Sequence, residues 1–163
     1  MSVRILFLAA LAATLTLAAP ARADLVGRAS VIDGDTIEIH GQRIRLHGID
    51  SPEKGQRCYR GGQEWRCGRE GSMALDAFIQ GKTVHCETRD IDRYKRVVAV
   101  CKVGRTDINK WMVSQGWAVA YARYSRDYVQ AEAQAKRAKV GIWSGDFVMP
   151  WDWRKGERGN FGS

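Results

Sequence analysis

Beyond Ala23 the chain has no apolar run of membrane-spanning length, no internal repeat, no low-complexity stretch and no Cys-x-x-Cys spacing. The first absence excludes a membrane-helix bundle for that part, because one span needs about 20 apolar residues. The next two exclude repeat arrays and linked domains, which leave a periodic or compositional mark. The last leaves a zinc ribbon without its paired thiolates. Of the 163 residues, those that follow Ala23 suit one domain with a sizeable core.

Residues 1–23 read as a secretory leader. Arg4 gives a positive start, Ile5 to Ala19 is a 15-residue apolar stretch, and Ala21-Arg22-Ala23 has the small-x-small form of a cleavage site. Cleavage after Ala23 is expected, with the protein periplasmic or secreted. No cysteine lies near the cut, which argues against a lipoprotein anchor. The whole chain carries 26 Lys and Arg against 18 Asp and Glu, a net charge of +8. Arg4 and Arg22 fall in the leader, so the remainder keeps +6. A compact cationic domain is drawn to polyanions, and phosphate backbones are the commonest. Charge also serves solubility, so it supports a site argument without making one.

Four cysteines in an exported chain read as two disulfides. Cys58 and Cys67 bracket a loop rich in Gly and Arg. Cys86 and Cys101 lie on two apolar runs flanking Arg93-Tyr94. With that dipeptide as a hairpin tip, residue 90 pairs with 97 and Cys86 falls opposite Cys101, a separation a disulfide can span.

Leu25 to Ile32 and Thr36 to His40 read as strands joined through Asp33-Gly34, and Gln42 to Ile49 as a third. In the third, Ile44 and Leu46 share one face while Arg43, Arg45 and His47 share the other. Gly48 allows a bend, and Pro52 cannot continue a ladder, so Asp50 to Glu53 should leave the sheet. Cys58 to Gly68 reads as a polar loop. Glu70 to Gln80 reads as a helix with Ala74, Ala77 and Phe78 inward. Thr83 to Thr88 and Val97 to Val103 form a second hairpin. Thr106 is expected to cap a short helix bearing Ile108, Trp111 and Met112, and Asp127 to Lys139 reads as a longer one. Residues 154–163 read as a flexible tail after a domain of residues 24–153. Five strands with a helix between the third and fourth follow the order of an OB-fold barrel, here with three α-helices in a single α+β domain.

The run Arg45-Leu46-His47-Gly48-Ile49-Asp50-Ser51-Pro52-Glu53 sets an arginine before two carboxylates three residues apart. Val31-Ile32-Asp33-Gly34-Asp35-Thr36 precedes it, and Asp92-Arg93-Tyr94-Lys95-Arg96 answers it downstream. Carboxylates can hold a hard cation, a further carboxylate can activate water, and guanidinium groups meet charge building on phosphoryl oxygens. Alone, Asp35 would be ordinary turn chemistry and Arg45 an outward strand cation. Together the segments point to a phosphodiesterase acting on nucleic acid.

These three segments, in this order, resemble the staphylococcal nuclease (thermonuclease) family, and the resemblance runs from about Val26 to Ser144. It implies an OB-fold barrel with three helices and calcium-dependent cleavage of DNA and RNA, leaving 3′-phosphates by expelling the 5′-oxygen. By the same resemblance, Asp35, Asp50 and the carbonyl of Ser51 hold Ca2+, and Glu53 orients or deprotonates the attacking water. Arg45 and Arg96 clamp the phosphate, and Arg93, Tyr94 and Tyr121 contact the nucleotide. Tyr124 stays outside that set, because Arg123 occupies the nearer position. His40, His47 and His85 match no motif. Lys95 stands where the family usually has glycine, so a positive-φ turn there would strain it. The Cys58–Cys67 pair is absent from the family's best-known member.

The enzyme reading has rivals. A catalytically silent OB-fold module would bind nucleic acid through the same basic groove but has no need of metal carboxylates. A module binding acidic polysaccharide would explain charge and export only. DNA and RNA are the expected partners, and a monomer with no stable protein partner is expected.

Overall fold

The computed structural model describes residues 24–161, so the leader expected at residues 1–23 lies outside the described residues. Strand β1, Leu25–Asp33, runs into β2, Thr36–Ile39, and then β3, Gln42–Leu46. In β2 and β3 the buried Ile37, Ile39, Ile44 and Leu46 alternate with polar or half-exposed residues, as a half-buried sheet requires. The turn between β1 and β2 holds Gly34 and Asp35, one residue later than the expected Asp33-Gly34, since Asp33 still pairs with Thr36. Gly48, at φ 72°, breaks the third strand, and β4, Ile49–Asp50, continues in a new direction.

The segment expected as a polar loop folds into a small hairpin, β5 at Cys58–Arg60 and β6 at Gln63–Trp65. Helix α1, Cys67–Ile79, starts earlier than expected. Its buried residues are Cys67, Gly68, Gly71, Leu75 and Ile79, whereas Ala77 faces solvent and Ala74 is half-buried. Gly68 suits this first turn: a Cβ there would collide with the Glu53 carbonyl, so only glycine lets the helix press on that backbone.

Strands β7, Thr83–Ile91, and β8, Val97–Val103, form the second hairpin, followed by β9, Thr106–Asp107. Helix α2, Ile108–Ser114, is capped by Asp107, whose carboxylate accepts the Lys110 N–H at 2.8 Å. Thr106 belongs instead to β9. The short β10, Val119–Ala120, pairs with β4, and α3 covers Val129–Ala138. A fourth helix, α4, spans Pro150–Arg154, where the sequence reading had ended the domain. Pro150 occupies its first turn, a position whose N–H needs no partner.

The sheet order β3-β2-β1-β7-β8 closes through a parallel β3–β8 pairing, with Arg45 beside Val98 and Leu46 beside Ala99. This is the expected five-stranded OB-type barrel, single-domain and α+β, with three main helices and the short α4. Ile37, Ile39, Ile44 and Leu46 fill it against Leu75 and Ile79 of α1 and Ile108 and Met112 of α2. Burying each such side chain contributes about 1.5–3 kcal/mol. Buried Asn109 ties α2 to the seam: its amide donates to the carbonyls of His47 at 2.9 Å and Ala99 at 3.1 Å, and its oxygen accepts the Cys101 N–H.

Both disulfides are present, Cys58–Cys67 and Cys86–Cys101. Cys86 sits opposite Cys101 as expected, but the hairpin tip is centred on Tyr94, and Asp90 pairs with Val98. A bulge between Thr88 and Asp90 absorbs the extra residue before the cysteines are reached.

Candidate active site

Asp35 and Asp50 reach one spot from different strand ends. The Asp35 carbonyl accepts the Leu46 N–H at 2.8 Å, which locks the β1–β2 turn to the end of β3. The Gly48 bend then swings Asp50 under the same corner, where pairing with Val119 holds it. Arg45 on β3 bridges the two carboxylates, with its Nη2 3.1 Å from Asp35 Oδ2 and 2.8 Å from Asp50 Oδ1. The Ser51 N–H donates to Asp35 Oδ2 at 3.3 Å, so this residue also stands at the corner.

Burial pushes the Asp35 carboxyl up to about 6, partly opposed by Arg45 and reinforced by nearby Asp33. Asp50 is raised by burial as well, while Arg154 and Arg45 pull it back. Two carboxylates out of water call for positive charge. Among the described residues no group of three or more His, Cys, Asp or Glu side chains is placed to hold a metal ion. The donors present are two buried carboxylates beside the Ser51 backbone, an all-oxygen set. Such a set fits a hard divalent cation that also takes water and phosphate oxygens.

Glu53 follows on an irregular segment held by a buried side chain. Gln56 accepts the Glu53 N–H at 3.2 Å, gives its own N–H to the Glu53 carbonyl at 2.7 Å, and donates its side-chain amide to Val148 at 2.6 Å. Arg57 binds Glu64, and Glu53 Oε1 accepts Arg154 Nη1 at 2.8 Å. The same guanidinium grips Asp50, Nη2 to Oδ2 at 2.7 Å and Nη1 to Oδ1 at 3.0 Å. Arg154, assigned with the flexible tail in the sequence reading, is thus fixed in the site by two carboxylates. These bonds hold it firmly in its charged form.

Across the cavity stands the β7–β8 tip. Asp92 organises it: one carboxylate oxygen accepts the N–H groups of Tyr94 and Arg96, each at 2.9 Å, and the other takes Arg96 Nε at 2.7 Å. Those bonds hold the Asp92 carboxyl below the usual carboxylate range against a raising effect of burial. Lys95 has φ 62°, so the strain expected at this position is present, yet Arg96 remains anchored on both backbone and side chain. Arg93 and Arg96 both lie over the exposed Tyr94 ring, at 5.2 and 5.5 Å. Tyr121 gives its N–H to the Gly48 carbonyl at 2.8 Å and stacks on Trp151 at 5.4 Å.

One cavity of about 990 Å³ is lined by Asp35, Arg45, Ser51, Glu53, Arg93, Tyr94, Arg96 and Tyr121, with Asp50 buried beneath. All the residues singled out from sequence therefore meet in one place, apart from the cysteines. Tyr124, set aside earlier, lines it too, beside Tyr121, with ring centroids 5.0 Å apart. Arg154 is the residue sequence reasoning missed. Its only signal was a cation at the end of a tryptophan-rich helix opened by proline.

Residues 43–145 match the family model described as staphylococcal nuclease homologue. The chain belongs to that family. Relatives of this nuclease-homologue chain include the succinoglycan biosynthesis protein ExoI of Rhizobium meliloti, 42% identical over 73% of this chain and 64% of that protein. The chain thus spans a little under two thirds of that relative's length. An uncharacterized endonuclease of Escherichia coli is 38% identical over 81% of this chain and 86% of its own. The micrococcal nuclease of Shigella flexneri is 30% identical, with 91% of each chain covered.

Proposed function

We propose that this protein is an exported, calcium-dependent nuclease that hydrolyses phosphodiester bonds of DNA and RNA and leaves 3′-phosphate ends. The observation that carries the reading is the Asp35–Arg45–Asp50 cluster, set beside Glu53 and facing Arg96 across one cavity. Family membership and the nucleases among the relatives support the reaction class. Two disulfides support an oxidising compartment, and the leader pattern supports export.

Asp35, Asp50 and the Ser51 carbonyl would hold the calcium ion, which when bound supplies positive charge to a non-bridging phosphoryl oxygen. Arg45 and Arg96 approach the phosphate from floor and rim, where each planar fork can bond two phosphoryl oxygens. Glu53 takes a proton from water as its oxygen attacks phosphorus. The bond from phosphorus to the 5′-oxygen breaks, the 5′-oxygen picks up a proton from solvent, and the phosphate stays on the 3′ side. Tyr94 and Tyr121 offer ring faces to the flanking nucleotide, a contact that tolerates any base. A role with acidic polysaccharide, in keeping with the name of the Rhizobium meliloti relative, leaves the three carboxylates without a task.

The test is cleavage of fluorescent DNA and RNA oligonucleotides by the protein lacking residues 1–23, with calcium and then with chelator. Calcium-dependent cutting with 3′-phosphate products is expected. Tight binding without cutting at any calcium concentration would favour the silent binding module. Mass spectrometry of the protein from separated cell fractions and medium checks export, an N-terminus at Asp24 being expected.

A further inference from the structure

Arg154 does more than line the cavity. Asp50 is 0% exposed, and its two oxygens receive three guanidinium contacts. Arg45 reaches Oδ1 only, so Oδ2 belongs to Arg154 alone. The two arginines differ in their freedom to leave. Arg45 sits in a barrel strand, bridges Asp35 as well, and has a side chain only 21% exposed. Arg154 has a side chain 39% exposed, at the end of a five-residue helix followed by an exposed segment, residues 155–160. A divalent cation taking an Asp50 oxygen would face the Arg154 charge at van der Waals range, and two cations that close repel strongly where water is scarce.

We infer that Arg154 is a positioning residue that serves as an internal counter-ion for Asp50 and Glu53, given up when a divalent metal takes Asp50. The inference rests on the metal reading above. Before metal arrives, Arg154 holds Asp50 and Glu53 at one guanidinium and keeps the water-activating carboxylate beside the floor. Metal binding must break that grip, so metal affinity is set below what the carboxylates alone would give. Helix α4 carries the exchange further. Trp151, one turn before Arg154, stacks on Tyr121 of the nucleotide pocket, so releasing one end of a five-residue helix loosens the other. Metal site and nucleotide pocket are thereby coupled through a single short element, and the coupling is reciprocal.

Calcium alone is titrated by calorimetry into the wild type, Arg154→Ala, Arg154→Lys and Lys155→Ala. Lys155 is the charge control, a neighbouring cation paired with Asp152 at 2.8 Å and away from the carboxylates of the site. Removing a competing internal cation should tighten calcium binding about tenfold in Arg154→Ala. Arg154→Lys should fall between, because lysine cannot make the two-pronged contact, and Lys155→Ala should match the wild type. Hydrogen exchange at the α4 amides should quicken when calcium is added to the wild type and be fast already in Arg154→Ala. Unchanged or weaker calcium binding in Arg154→Ala, or equal tightening in Lys155→Ala, would overturn the inference and leave the nuclease reading standing. Wild-type protein that binds no calcium would overturn both. If Arg154→Ala does not fold, Arg154→Lys decides, with tighter binding in support and wild-type binding against.

Discussion

The floor and the rim of the cavity are held in different ways. The floor, Asp35, Arg45 and Asp50, is an extension of the barrel: its residues lie on β-strands or the turn between two, and its carboxylates are buried. The rim, Asp92 to Arg96, is a hairpin tip beyond a bulge, tied together by one carboxylate and exposed at Tyr94. Charge on the floor is therefore part of folding, whereas charge on the rim is a tool mounted on a finished fold.

Replacing one arginine in each place breaks the comparison most sharply. Arg96→Ala and Arg45→Ala should each lower turnover by about 10²–10³-fold, as expected when a preset donor to a developing oxyanion is lost. Arg45→Ala should also cost the more stability, about 3 kcal/mol, because it strips a buried pair of carboxylates of a shared counter-ion, whereas Arg96→Ala should cost less, since the partly exposed Asp92 keeps its two backbone N–H bonds. Calcium should return much of the Arg45→Ala loss by taking the same charge. Denaturant melts with and without calcium check the contrast. Equal melts for both variants would show that the floor is no more integral to the fold than the rim.

The disulfides divide along the same line. Cys86–Cys101 staples the barrel portion of the β7–β8 hairpin, and its 15-residue separation corresponds to about 3 kcal/mol by loop-closure entropy. Cys58–Cys67 joins the β5–β6 hairpin to the start of α1, whose Gly68 presses on the Glu53 backbone. Replacing Cys86 and Cys101 with Ser should lower the melting temperature with activity kept below the melt. The same change at Cys58 and Cys67 should reduce turnover more than stability. A larger melting loss from the second pair would reverse this assignment.

How much of this was legible follows from the kind of interaction that fixes each part. The order of five strands with a helix between the third and fourth, Ile44 and Leu46 sharing one face of the third, announced the barrel, and the spacing of Asp35, Arg45, Asp50 and Glu53 announced the floor. Both are local patterns. The fourth helix was not legible, since a five-residue segment has too few turns to show a period. Arg154 was missed for a deeper reason: its partners are 104 and 101 residues away in sequence, and nothing near it shows where its charge is needed. The early start of α1 was hidden likewise, because its first turn sets a glycine against distant backbone. Ala77 was misplaced because helix phase was read from small residues that fit either face.

On the rim, Asp92 should make its contribution visible in acid. Its carboxyl titrates below the ordinary range when folded, so its stabilisation is fully present above the unfolded value and is lost as pH falls through the lower folded one. The window is therefore below about pH 4, the unperturbed range for Asp. Asp92→Asn should melt lower than the wild type at pH 6, and the gap should shrink as the wild type is acidified through that window. The buried floor carboxylates, raised rather than lowered, contribute with the opposite sign in both proteins and drop out of the difference. A gap constant from pH 6 to 2 would mean that Asp92 acts through its shape alone.

The smallest effect belongs to Lys95. At φ 62° its backbone sits in the left-handed region that glycine enters freely. Lys95→Gly should relieve about 1 kcal/mol of backbone cost, part of which is offset by the greater freedom glycine gives the unfolded chain. The net gain should be a few tenths of a kcal/mol, read as a small rise in the denaturant midpoint. Activity should stay within a few-fold, because Asp92 rather than residue 95 anchors both the backbone N–H and the guanidinium of Arg96. A large gain in turnover would show that Lys95 had been holding Arg96 away from the phosphate, and that the rim is less finished than the floor beneath it.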